Sequence, residues 1–139
     1  MHQIKPHLLW IGHAGDGRDI PAVIDTGIRA IVQLAMEEPP LLPPRDLIFC
    51  RFPLLDGTGN DPVLLRLAIH AVAILQRSRI ATLVCCGGGM SRSPAIAAAA
   101  LSAVEQMPLD ECLKIVAEFY QADVLPGLWE EVCSAVENE

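Results

Sequence analysis

The sequence predicts an α/β fold: a central, mostly parallel sheet of four to five strands flanked by helices, with a helical C-terminal third. Three observations lead there. Short apolar runs alternate with helical patterns over the first two thirds of the chain. The last third carries helical spacing alone. A glycine loop joins the most apolar run to an alanine-rich helix. With 139 residues, 52% of them hydrophobic, a single domain over residues 1–139 with a sizeable core is expected.

His7 to Ile11 reads as the first strand. Asp19 to Thr26 reads as a short helix, with Asp19 as N-cap, Pro21 in the first turn and Gly27 as the stop. Ala30 to Leu34 is a second apolar strand. Pro39-Pro40-Leu41-Leu42-Pro43-Pro44 lacks the N–H groups a helix or central strand needs, and so predicts an extended surface loop. Leu47 to Phe52 is a third strand. Asp61 and Pro62 form a cap and first turn for a helix running to about Gln76. Ile80 to Cys85 is apolar enough to be a central strand. The helix from Pro94 to Val104 is apolar nearly all round, which predicts burial. Leu109, Cys112, Leu113, Val116 and Tyr120 mark the inner face of the next helix, opposite Asp110, Glu111, Lys114 and Glu118. Leu128, Trp129, Val132, Cys133 and Val136 repeat that spacing in a last helix. In such sheets the ligand crevice lies beyond the carboxyl ends of the strands, where Cys86 falls.

A net charge of −7 argues against nucleic-acid or anionic-membrane partners, which call for basic clusters. No secretory signal and no apolar run of membrane-spanning length is visible. The five cysteines (Cys50, Cys85, Cys86, Cys112 and Cys133) are odd in number and lack zinc spacing, as do His2, His7, His13 and His70. Free thiols, no metal and a reducing cytoplasm are expected. Trp10 and Trp129 sit in apolar patterns and read as core.

The chemistry concentrates in Val84-Cys85-Cys86-Gly87-Gly88-Gly89-Met90-Ser91-Arg92-Ser93-Pro94, where five residues separate Cys86 from Arg92. The glycines let backbone N–H groups converge. Ser93 as N-cap and Pro94 as first helical residue start a helix whose partial positive charge faces the loop. Arg92 adds a planar fork that matches two phosphate oxygens. Together these favour the thiolate of Cys86, a nucleophile aimed at a bound phosphate. A dinucleotide loop fails because Arg92 occupies the last glycine position of GxGxxG, and a Walker loop fails for want of Gly-Lys-Ser/Thr. Phe52-Pro53-Leu54-Leu55-Asp56-Gly57 adds a carboxylate on a loop past the third strand. That Asp-Gly pair reads either as a plain turn or as a general acid on a loop able to close. Asn60-Asp61-Pro62 reads better as a helix cap.

These residues resemble the dual-specificity branch of the cysteine-dependent protein phosphatases, whose loop runs His-Cys, five residues, Arg, Ser/Thr. Cys86, Gly89, Ser91, Arg92, Ser93 and Pro94 fall in matching places, and the resemblance extends from Trp10-Ile11-Gly12 to the last helix. It implies the compact fold of that branch and a phosphomonoester hydrolase working through a cysteinyl-phosphate. Cys86 would be the nucleophile and Arg92 the phosphate clamp. Asp56 would be the general acid and base, and Ser93 would assist departure of the thiolate. Gly87, Gly88, Gly89, Met90 and Ser91 would form the substrate cradle. It implies no cofactor and a phosphorylated protein or small phosphomonoester as substrate. The sequence does not name the oligomeric state, for which a monomer is the working expectation. The loop holds no lysine, which argues against a polyanionic phosphoinositide.

One departure stands out: Cys85 occupies the place of the usual histidine. It cannot supply that residue's charge or hydrogen bonds, which opens the alternative of a catalytically weak phosphate-binding module. Cys85 reads either as a core side chain pointing away from the loop or, like Cys50, as a partner that traps oxidised Cys86. A sulfurtransferase also carries a cysteine loop after a strand, but the five-residue gap to Arg92 and the place of Asp56 disfavour it.

Overall fold

The computed structural model describes residues 1–139. Its strands are β1 (His2–Gln3), β2 (Leu9–His13), β3 (Ala30–Ala35), β4 (Ile48–Leu54) and β5 (Thr82–Cys86). Its helices are α1 (Ala14–Arg18), α2 (Ile20–Thr26), α3 (Pro62–Arg77), α4 (Arg92–Glu105), α5 (Leu109–Phe119) and α6 (Pro126–Glu137). The strands lie in the order β1-β2-β5-β3-β4, all parallel except β1, which pairs antiparallel with β2. Register sets Gly12 opposite Cys85, His13 opposite Cys86 and Gln33 opposite Cys85. The carboxyl ends of β2, β5 and β3 therefore finish at one level, where Cys86 lies.

Side-chain alternation divides the sheet into two cores. Val32, Leu34, Val84 and Cys86 face the larger one, under α3 to α6. Ile31, Leu83 and Cys85 face the smaller one, with Val23, Ile28 and Leu41. Helix α4 runs through the larger core and packs on α3, α5 and α6. Its residues from Ala95 to Ala100 are buried, and five of these six are alanines that let the neighbouring helices come close. Trp10 and Trp129 are partly buried against the smaller and larger cores respectively.

The expected elements form, with shifted ends. Asp19 caps α2 by accepting from Ala22 N–H at 3.3 Å, and Gly27 ends it at φ +90°. β4 continues through Pro53, which an edge strand tolerates because its outer side needs no ladder donor. β1 is two residues long, too short to show a period. α1 was not expected, since Ala-Gly-Asp-Gly-Arg has poor helix propensity. It forms because His13 and Asp16 cap each other: Asp16 N–H donates to His13 Nδ1 at 3.2 Å, and His13 N–H donates to Asp16 Oδ2 at 3.0 Å.

α1 also comes very close to β5. A Cβ on Gly17 would stand 2.9 Å from Cys85 Sγ and 3.3 Å from Leu41 Cδ1. Gly17→Ala is therefore expected to cost about 1–3 kcal/mol by overpacking. Chemical denaturation of a double-mutant cycle with Cys85→Ala should recover part of that cost. Strictly additive losses would place the clash elsewhere.

Candidate active site

β5 ends at Cys86, which is buried at the floor of a bowl of about 260 Å³. Asp56, Gly88, Gly89, Met90, Ser91 and Arg92 line the bowl beside it, joined by Asp123 and Leu125. Six of the residues singled out in the sequence thus meet the nucleophile candidate around one cavity. Two do not line it: Gly87, which packs against Glu37 and Arg92, and Ser93, which is fully buried.

The helix start needs correction. α4 begins at Arg92 with Ser91 as N-cap, so Ser93 and Pro94 are its second and third residues. Neither serine caps in the expected way. Ser91 Oγ accepts instead from Leu125 N–H at 3.1 Å, tying down the segment before α6. Ser93 Oγ has no hydrogen-bond partner within the protein. Pro94 lacks an N–H in the first turn, where intrahelical partners are missing anyway.

Arg92 is held rather than free. Its Nη1 donates to Glu37 Oε1 at 2.6 Å and to the Leu54 carbonyl at 2.9 Å, and its Nη2 donates to Glu37 Oε2 at 2.6 Å. The hydrogen bond from Arg92 draws the Glu37 carboxyl down to about 2 against the opposing effect of desolvation. The same bond, more than any other cause, raises the guanidinium. Arg92 Nε is buried without a partner. The fork is thus locked by its outer nitrogens while one inner donor stays unspent. Sequence reasoning missed Glu37; its only trace was an acid directly after an apolar strand.

The glycine run divides by position. A Cβ on Gly87 would stand 2.7 Å from Glu37 Oε2 and 3.2 Å from Arg92 Nη2, so the ion pair occupies the space a side chain would need. Gly89 adopts φ +79°, and a Cβ there would meet the Tyr120 hydroxyl and lie 2.9 Å from the Gly12 carbonyl. Gly88 has open space around it. Burial, followed by the nearby Cys86 and Asp16, raises the Tyr120 phenol.

Cys85 faces the smaller core, on the opposite side of β5 from Cys86. Burial first, then Cys86 and Asp16, pushes its thiol up to about 12, so it is a neutral packing group. Cys50 pairs with Val32, which pairs with Val84, leaving Cys50 two strands away from β5. At about 4.8 Å per strand that is roughly 10 Å, beyond the reach of a disulfide. Neither cysteine is placed to trap Cys86.

The Asp56 segment is braced. Asn60 Nδ2 donates to the carbonyls of Leu55 (3.0 Å) and Gly57 (3.3 Å), and its Oδ1 accepts from Leu55 N–H at 2.8 Å. Glu131 on α6 accepts from Gly59 N–H at 2.8 Å and Asn60 N–H at 3.0 Å. Desolvation pushes the Glu131 carboxyl up, but these hydrogen bonds together outweigh it and the net shift is downward. Asp56 therefore lines the bowl without any closing movement. A second carboxylate, Asp123, lines the cavity from the segment between α5 and α6, where its N–H donates to the Met90 carbonyl at 2.7 Å. Nothing in the local sequence marked Asp123, because its place depends on how α5 and α6 dock.

Two outcomes follow. Gly88→Ala should leave thermal stability within about 0.5 kcal/mol of the parent, while Gly89→Ala should cost more than about 1 kcal/mol. Equal costs would refute the assigned geometry. Because the Glu37 carboxyl falls from 4.5 to about 2 on folding, the Arg92 pair stabilises fully above pH 4.5 and is lost as pH falls towards 2. Glu37 is more than half exposed, so screening limits this to about 1 kcal/mol. Denaturation of wild type and Glu37→Gln from pH 5 to 2 should show their difference shrinking on acidification. A constant gap would mean the carboxylate charge contributes nothing.

No family model and no curated protein sequence matches the chain. Solved structures do. Human DUSP28 superimposes with a TM-score of 0.86 at 23% identity, over 99% of this chain and 96% of that one. The human tyrosine phosphatase-like serine/threonine/tyrosine-interacting protein gives 0.82 at 17%, over 99% and 96%. DUSP15 gives 0.77 at 20%, over 97% and 89%. The chain therefore has the fold of the dual-specificity branch of the cysteine-dependent phosphatases.

Proposed function

We propose that the protein hydrolyses phosphomonoesters through a cysteinyl-phosphate on Cys86. The observation that carries this reading is the pair of buried, unpartnered donors beside the bowl, Arg92 Nε and Ser93 Oγ. A buried donor left unpaired costs about 1–3 kcal/mol, and a phosphate dianion and a thiolate are the acceptors that would satisfy these two.

The steps follow from the residues. The phosphoryl group sits in the bowl, held by Arg92 Nε and the loop amides. Cys86 Sγ attacks phosphorus as the bond to the leaving oxygen breaks, and protonated Asp56 gives that oxygen its proton. Water then attacks the phosphocysteine, Asp56 takes the water's proton, and the sulfur departs as a thiolate assisted by Ser93 Oγ. The balance is one ester and one water consumed, one alcohol or phenol and one inorganic phosphate released. Glu37 keeps the arginine fork in place throughout. Asp56 is preferred as the acid because its loop follows β4, where the resembling family carries it. Five free thiols suit a reducing cytoplasm. No helix is long and apolar enough to cross a membrane.

The neutral, inward-facing Cys85 favours a second reading, a module that binds phosphate with little turnover. One assay separates the two. Hydrolysis of an aryl phosphate near pH 6 should be abolished by Cys86→Ser. Asp56→Asn should lower kcat by about 10²–10⁴-fold, and Asp123→Asn by less than tenfold. A larger loss from Asp123→Asn would transfer the acid role to that residue. Vanadate binding without turnover would establish the binding module instead.

A further inference from the structure

Beside the bowl, between α5 and the start of α6, runs a larger groove of about 560 Å³. Leu113, Ala117, Ala122, Val124 and Trp129 form its apolar lining, and Asp110, Lys114 and Asp123 complete it. Asp123 lines both the groove and the bowl, so one residue is the partition between them. That partition is fastened to the catalytic loop twice, through Asp123 N–H to the Met90 carbonyl at 2.7 Å and Leu125 N–H to Ser91 Oγ at 3.1 Å. The groove is therefore fixed relative to Cys86. Trp129 Nε1 donates to Asp110 Oδ1 at 3.0 Å. Its polar edge is thus satisfied, leaving an indole that can offer apolar surface.

The surroundings define the occupant. Met90 and Leu125 on the bowl, and Leu55 next to Asp56, are each about two fifths exposed (43%, 41% and 42%) and give the rim an apolar character. The rim's charges are the carboxylates Asp56 and Asp123, and the loop carries no cation besides the buried Arg92. In the groove the carboxylates of Asp110 and Asp123 outnumber the one cation, Lys114, so acidic flanks on a substrate meet net repulsion and the contact beyond the phosphate is chiefly apolar. A small aryl phosphate fills the bowl alone. Reaching the groove takes a ligand that continues past the ester, as an extended polypeptide does at about 3.3–3.6 Å per residue.

We propose that this groove seats an apolar side chain adjacent to the phosphorylated residue of a polypeptide, making the substrate a phosphoprotein segment with a hydrophobic neighbour. The assignment rests on the phosphate-ester reading of the bowl, and its test is separable from that reading. Ala117 is exposed, lies on the groove and does not line the bowl. Ala117→Arg should fill the groove without touching the chemistry.

The experiment compares phosphotyrosine peptides carrying leucine or serine at each flanking position, with p-nitrophenyl phosphate as the small substrate. Wild type should prefer leucine at one flank by about tenfold in kcat/KM, mainly through KM. Ala117→Arg should erase that preference and leave p-nitrophenyl phosphate hydrolysis unchanged. Equal kcat/KM for leucine and serine peptides, or a preference that survives Ala117→Arg, overturns the groove. If p-nitrophenyl phosphate is not hydrolysed at all, the catalytic reading fails, and the same peptides are titrated against Cys86→Ser by calorimetry. Tighter binding of the leucine peptide that Ala117→Arg abolishes then supports the groove, and indifference to the flank overturns it.

Discussion

The bidentate ion pair between Arg92 and Glu37 is the constraint on which the site depends. It fixes a guanidinium at the base of the bowl, with two nitrogens on Glu37 and one of these also on the Leu54 carbonyl. Gly87 has no side chain because that pair fills the space. An unpaired buried arginine would be costly, and one paired on every nitrogen would have nothing left for a ligand. Here the outer donors bear the structural duty and Nε is left over. The arrangement ties β4, the segment after β3 and the first turn of α4 into one unit, so the wall of the bowl is set by contacts within the protein.

Around that pair the fold acts as a positioning device. Register brings the carboxyl ends of β2, β5 and β3 level, and alternation along β5 sends Cys86 to the larger core and the bowl and Cys85 to the opposite core. The alanines of α4 allow α3, α5 and α6 to close over it. The docking of α6 in turn supplies Glu131 to brace the Asp56 loop and places Asp123 and Leu125 on the cavity wall. The packing of helices far from Cys86 therefore decides what stands at the rim.

Much of this was legible in the sequence, and the residues show why the rest was not. The Cys86–Arg92 spacing, the glycine run and the Asp19 and Asp61 caps are local signals, and each appears where local chemistry put it. For Cys85 strand alternation gave one of two readings, a core thiol, and that is where it lies. Glu37, Asp123 and Tyr120 were missed because their roles come from neighbours 55, 33 and 31 positions away in the chain, at Arg92, Met90 and Gly89. The helix start was misplaced because a serine before a proline resembles a cap, whereas Ser91 holds that position and spends its hydroxyl on Leu125. α1 was missed because its stability comes from one reciprocal cap and not from propensity.

The most direct measurement of the central claim is a crystal structure of the protein soaked with vanadate. Vanadium should sit on Cys86 Sγ, with Arg92 Nε donating to one oxygen while both outer guanidinium nitrogens remain on Glu37. An arginine that leaves Glu37 to reach the oxyanion, or an oxyanion bound away from Cys86, would contradict the account.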